Sequence, residues 1–249
     1  MIRWIFYLIL FCLVVLVGAT LLTPLGFVLK QSGVDRSGAG WASAEGSIVQ
    51  GRINGLYVGT QPIGDVRMTL RPLSLLSGKA TYDVTWSGPG GRGSGLLSAS
   101  RNALELSDVR AQQRVQAIEG LAPAVRAVGG EVRLRDGAAK VTRAGCERAS
   151  GDISTDTLSL AAKQYGKQFG ELSGPISCLE GAFVVNLDGT GPDGDRVTVA
   201  ASATPLGQTS FAATVTTSDS EISFLLPRLG FERRGDDWQY INNSDGVVR

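Results

Sequence analysis

Histidine is absent from all 249 residues. That absence excludes a Ser-His-Asp triad, a Cys-His pair, a His-ligated metal and a His general base. Cysteine is scarce, at 3 residues, and no CxxC spacing occurs, which argues against a thiol oxidoreductase. A surplus of either charge is missing too: 24 Lys plus Arg stand against 23 Asp plus Glu, a net of +1. No pull toward nucleic acid follows. Long polar tracts are lacking, as are long helical patterns between strands, so neither disorder nor a parallel α/β body fits. No paired carboxylates, serine with lysine, or metal-like cluster stands at an informative spacing. No catalytic, cofactor-binding or metal residue is therefore nominated, and no enzyme activity is expected.

What is present begins with an apolar run. Trp4 to Leu22 is apolar or small throughout, with Thr20 its one aliphatic hydroxyl beside the Tyr7 phenol. Its length matches the roughly 20 residues needed to cross a bilayer core. Arg3 precedes it and a long segment follows. The pattern predicts an anchor over 1–24, a single pass of the inner membrane, and a body on the periplasmic side. The rival reading is a cleaved signal peptide ending near Val17-Gly18-Ala19, although the run exceeds a usual signal core. Both readings export the body. Cys12 falls inside the run, as packing. Cys146 and Cys178 lie 32 positions apart in the exported part. An oxidising compartment favours pairing them, against two separate buried thiols.

Residues 25–44 read as a linker, with Lys30-Gln31-Ser32-Gly33 and Arg36-Ser37-Gly38-Ala39-Gly40. Period-two alternation then takes over. Val66, Met68 and Leu70 alternate with Arg67 and Thr69; Ala80, Tyr82, Val84 and Trp86 alternate with Thr81, Asp83 and Thr85. Val132-Arg133-Leu134-Arg135 reaches a tight-turn signal at Asp136-Gly137, and Ala139 to Thr142 resumes the pattern. Phe183 to Asp188, Val197 to Ala203 and Phe211 to Val215 alternate likewise. One wet and one dry face per strand is the mark of antiparallel sheets. The expected fold is mainly β, a curved antiparallel sheet or sandwich after one transmembrane helix.

One further helix is expected, Gln113 to Val128, interrupted by Gly120 and Pro123. It divides the body into two β-rich halves, 45–128 and 129–249, which a diverged duplication could relate. Trp86 is expected in the core. Trp41 is expected against the sheet or a partner, and Trp238 on a last strand. Gly88-Pro89-Gly90-Gly91-Arg92-Gly93 spells G-x-G-x-x-G, but no helix start follows, so it reads as a strand connection. Asp188 to Asp195 is an acidic glycine loop without calcium-loop order, and reads as a hairpin.

Four stretches together resemble the protein N family of the bacterial type II secretion system. They are the short start with one apolar span; Ala44-Glu45-Gly46-Ser47-Ile48-Val49-Gln50-Gly51 with Asn54-Gly55-Leu56-Tyr57-Val58-Gly59; Gly64 to Gly78, with its Arg71-Pro72-Leu73 turn and Leu75-Leu76-Ser77-Gly78; and Cys146, Ala149, Gly151 and Leu158 leading to Leu172-Ser173-Gly174-Pro175-Ile176-Ser177-Cys178 and Gly181. Gly129-Gly130-Glu131-Val132-Arg133-Leu134 fits between them. The family often carries tryptophan after its first Gly-x-Val, where this chain has Val49 and Gln50. The resemblance implies an inner-membrane accessory component with a β body and no enzyme activity, partnered by other inner-membrane secretion components, and a disulfide joining Cys146 to Cys178. The same features are similar to AsmA-like periplasmic proteins, which implies lipid as an alternative partner. A lipid groove would leave an apolar strip open, whereas a scaffold would pack it away.

Overall fold

The computed structural model describes residues 18, 23–32, 38–59, 61–100, 102–119, 121, 123–191, 194–204 and 208–244. The apolar run and Cys12 lie outside these, apart from Gly18. No helix among the described residues is long and apolar enough to cross a membrane.

The chain is mainly β. Within the stretch read as a linker it already forms α1 (Leu25–Ser32), β1 (Ala39–Gly40) and the start of β2 (Ser43–Gly46). Then come β3 (Gln50–Val58), β4 (Gln61–Leu70), a 3-10 turn (Pro72–Ser77), β5 (Ala80–Ser87), β6 (Gly91–Ala99) and β7 (Ala103–Arg114). A 3-10 turn (Val115–Ala117) and α2 (Pro123–Val128) lead to β8 (Glu131–Thr142) and β9 (Gly145–Thr155). Helix α3 (Thr157–Gln164) leads to β10 (Leu172–Leu179), β11 (Ala182–Thr190), β12 (Arg196–Ala203) and β13 (Thr209–Thr216). Helix α4 (Ser220–Leu225), a 3-10 turn (Leu226–Leu229), β14 (Glu232–Arg234) and β15 (Asp237–Ser244) close the chain.

These strands form one antiparallel sheet of 15 strands, and from β3 to β13 each strand pairs with its neighbour in sequence. A single meander, not a two-sheet sandwich, is therefore the architecture. Registers place the alternating apolar residues on one continuous face. Met68 lies opposite Val84, Tyr82 opposite Leu97, and Leu97 opposite Leu106. Leu134 lies opposite Ile153, Leu187 opposite Val199, and Val215 opposite Trp238. The other face carries Arg67, Thr85, Arg133, Arg135, Asp152 and Ser154.

Two elements differ from the sequence expectations, each for its own physical reason. Asp136-Gly137 does not turn the chain: β8 runs straight through it, and Asp136 (φ 49°) sits in a bulge. The neighbouring strand β7 bulges at Asp108 (φ 52°), so the extra residues match across the pair. A bulge and a tight turn both ask for a residue that tolerates left-handed backbone. The expected helix from Gln113 is also shorter. Gln113 and Arg114 end β7, and among the described residues from there to Gly129 only Pro123–Val128 is α-helical. Proline at the first helical position favours a start there, not a continuation.

The apolar face packs into two buried clusters. Leu25, Ile53 and Val66 form the first, covered by Trp41 and Trp86; Leu172, Leu187, Val197, Val215 and Leu226 form the second, covered by Trp238 and Phe231. Between them, Leu104 and Leu106 of β7 stay exposed. Trp86 lies flat over Gly93 of β6, where a β-carbon would sit within the indole. Gly93→Val is thus expected to expel the ring and destabilise the body by about 1–3 kcal/mol. Tryptophan emission moving to longer wavelength would register it.

Candidate functional site

The sheet's two edges differ. Along one, the β8–β9 and β10–β11 returns take only two residues each, 143–144 and 180–181. Along the other run the long returns: 115–130 with α2, 156–171 with α3, and 217–236 with α4. On this helix edge, α3 and α4 fold over the apolar face of the second half.

Local sequence explains both helices. Thr155 Oγ1 accepts the backbone N–H of Thr157 at 3.3 Å at the start of α3. Asp219 caps α4, its Oδ1 accepting from the N–H of Glu221 at 2.8 Å and of Ile222 at 3.4 Å. Gly230, with φ 88°, ends the 3-10 turn that follows.

Between the two helices and the sheet lies a cavity of about 570 Å³. Val197 and Val215 form its floor; Leu158, Phe169, Ile222 and Phe231 line its walls. Tyr165, Phe224 and Leu229 stand exposed beside it. The Arg228 guanidinium lies 4.4 Å from the centre of the Phe224 ring. One charged group closes the rim: Lys167 Nζ meets Asp219 Oδ2 at 2.5 Å and Glu221 Oε2 at 2.8 Å. This ties the segment after α3 to the beginning of α4. A cavity of this size and mainly hydrocarbon lining suits an apolar group held by burial, with Lys167, Ser220 and Glu221 as its polar lining.

Charge on the latch sets a pH dependence. The bond from Lys167 holds the Asp219 carboxyl below its usual 3.8, helped by the backbone N–H groups it caps. The same bond holds Lys167 above its usual 10.5. Asp219 therefore contributes fully above pH 3.8, and its contribution is lost as pH falls through the lower folded value. Lys167 contributes fully below pH 10.5, and is lost as pH rises through its raised value. Thermal midpoints measured from pH 7 downward should fall below pH 3.8, and Asp219→Asn should start lower at pH 7 and show less of that acid loss.

Elsewhere the structure places the sequence's candidates as follows. Cys146 and Cys178 are joined in a disulfide with Cα atoms 5.7 Å apart. Gly88 to Gly93 spans the β5–β6 return and the first residues of β6, with Gly88 and Gly91 exchanging backbone bonds. The acidic glycine loop joins β11 to β12, with Gly191 N–H donating to the Asp195 carbonyl at 2.8 Å. No group of three or more acidic or cysteine side chains able to hold a metal occurs among the described residues. The cavity residues were not foreseen. A usable signal existed at Asp219, two residues before Glu221, because an acidic cap and an acidic first turn mark a helix start.

No curated protein and no solved structure matches the chain. The family model of type II secretion system protein N matches residues 37–242, which takes in nearly every strand of the sheet, and the chain belongs to that family.

Proposed function

We infer that this chain is an accessory component of the type II secretion apparatus, anchored in the inner membrane by residues 1–24, with its sheet on the periplasmic side. It works by binding and positioning other inner-membrane components of the apparatus, not by covalent chemistry. The family match over 37–242 carries this reading, because it covers the sheet itself. The disulfide supports the exported address, since such bonds persist in oxidising compartments. The halves 45–128 and 129–249 are part of the proposal, and the two separate buried clusters support it. The cavity on the helix edge is the contact point we assign, filled by an apolar side chain of the partner. Buried apolar anchors in such pockets carry most of an interface's energy.

The test is capture of the full chain after cross-linking in cells, with a photoreactive residue at Phe224. Cross-links to other inner-membrane secretion components are expected. Cross-links to lipid alone would replace this reading.

That second reading has its own support. A cavity of about 570 Å³ lined almost wholly by hydrocarbon also suits an acyl chain. It requires phospholipid to co-purify with the native chain and to be lost from Ala161→Trp, which narrows the cavity.

A further inference from the structure

Three large apolar side chains stand out of the 3-10 turn between β4 and β5: Leu73 is 79% exposed, Leu75 52% and Leu76 87%. Burying none of them is costly in water, and their clustering on one six-residue turn marks a surface that meets something apolar. The turn itself is firmly built. Arg71 donates two bonds of 2.8 Å to the Asp83 carboxylate. Ser74 Oγ donates to the Arg71 carbonyl at 2.7 Å and accepts the Thr81 N–H at 3.0 Å. The leucines are thus held outward by a rigid frame.

Their position identifies what they meet. Pro24, two residues beyond the apolar run, bridges to Ser47 at the end of β2. Leu70 N–H, at the end of β4, donates to the Val49 carbonyl at 2.7 Å. Those contacts set the chain's exit from its apolar run and the base of the leucine turn on the same sheet edge. They are separated by two to three strand spacings, on the order of 10–15 Å. Phe27, in the first turn of α1 just past Pro24, is exposed as well.

We propose that the Leu73-Leu75-Leu76 turn dips into the outer surface of the same bilayer that the apolar run 4–22 crosses, giving the body a second attachment. This rests on the anchor reading above. Leucines placed at the boundary of headgroups and acyl chains bury apolar area there without crossing the membrane. Two attachments on one edge fix the sheet's orientation. Strands of 8–12 residues then hold the helix edge roughly 30 Å from the bilayer, so the cavity opens toward the periplasm.

The test uses the full chain with Cys12→Ala, reconstituted into vesicles of phosphatidylethanolamine and phosphatidylglycerol. The oxidised Cys146–Cys178 pair takes no label. A nitroxide is placed at Leu76→Cys, at Leu73→Cys as a second site, and at Glu232→Cys on the helix edge as the aqueous reference. Collisions with lipid-dissolved oxygen should exceed those with an aqueous nickel chelate at 76 and 73, and the order should reverse at 232. An alkaline carbonate wash separates the two possible failures. Chain released from the vesicles overturns the anchor and this inference together. Chain that stays bound, with labels at 76 and 73 as aqueous as the label at 232, overturns this inference alone.

Discussion

Replacing Cys146 and Cys178 together by serine should lower the unfolding free energy by roughly 3–4 kcal/mol, the loop-closure value for a bridge of this span. The structure gives a local reason for a loss of that size. Strand β10 pairs with β9 only from Leu172 to Pro175, opposite Thr155 to Asp152. Pro175 has no N–H to donate, and beyond it the two strands no longer exchange ladder bonds. Across that gap, the disulfide and the bond from Cys146 N–H to the Gly181 carbonyl, 2.8 Å, are what hold the sheet together. Denaturant titrations of native and double-serine protein would measure the difference. An unchanged midpoint would mean that the sheet does not depend on this staple.

Gly174→Ala is expected to cost about 2–3 kcal/mol and to lower the yield of folded chain. Its β-carbon would occupy the space of the Asn186 carbonyl oxygen on β11. That neighbour is backbone, paired on its other side with Ala200 of β12, so it cannot move aside as a flexible side chain can. Gly170→Ala is the control. Its β-carbon would meet only the Thr190 carbonyl oxygen, at 3.6 Å, an ordinary contact. Thermal melts should separate the two by several degrees or more. Equal melting would contradict the close approach of β10 and β11 at Gly174.

The strands were legible because their chemistry is local. Val66, Met68, Val84 and Trp86 alternate with polar residues, and period two fixes a face without knowledge of any partner. The pairing of Cys146 with Cys178 was implied by the family resemblance and favoured by the expected oxidising compartment, while the residues alone left two separate thiols open. The helices over the cavity were less accessible. Helix α4 has only six residues, Ser220–Leu225, too few to show a 3.6-residue period. Helix α3, Thr157–Gln164, has eight, and its apolar side acquires meaning only once Val197 and Val215 lie beneath it. The cavity joins residues from 158 to 231, so it exists only after the meander has returned twice to the same edge. Asp136 shows the limit of turn signals, since one left-handed residue serves a hairpin or a bulge alike.

Secretion itself gives the most direct test of the cavity as the place where this family member meets its apparatus. Cells would carry either Ala161→Trp, which fills the cavity, or Phe224→Asp, which sets a charge at its mouth, in place of the native chain. Both variants must first show the native melting midpoint and an intact Cys146–Cys178 bond. Substrate proteins of the pathway should then accumulate in the periplasm and be depleted from the medium. Full secretion by cells whose variant is folded, anchored and abundant would contradict the proposal.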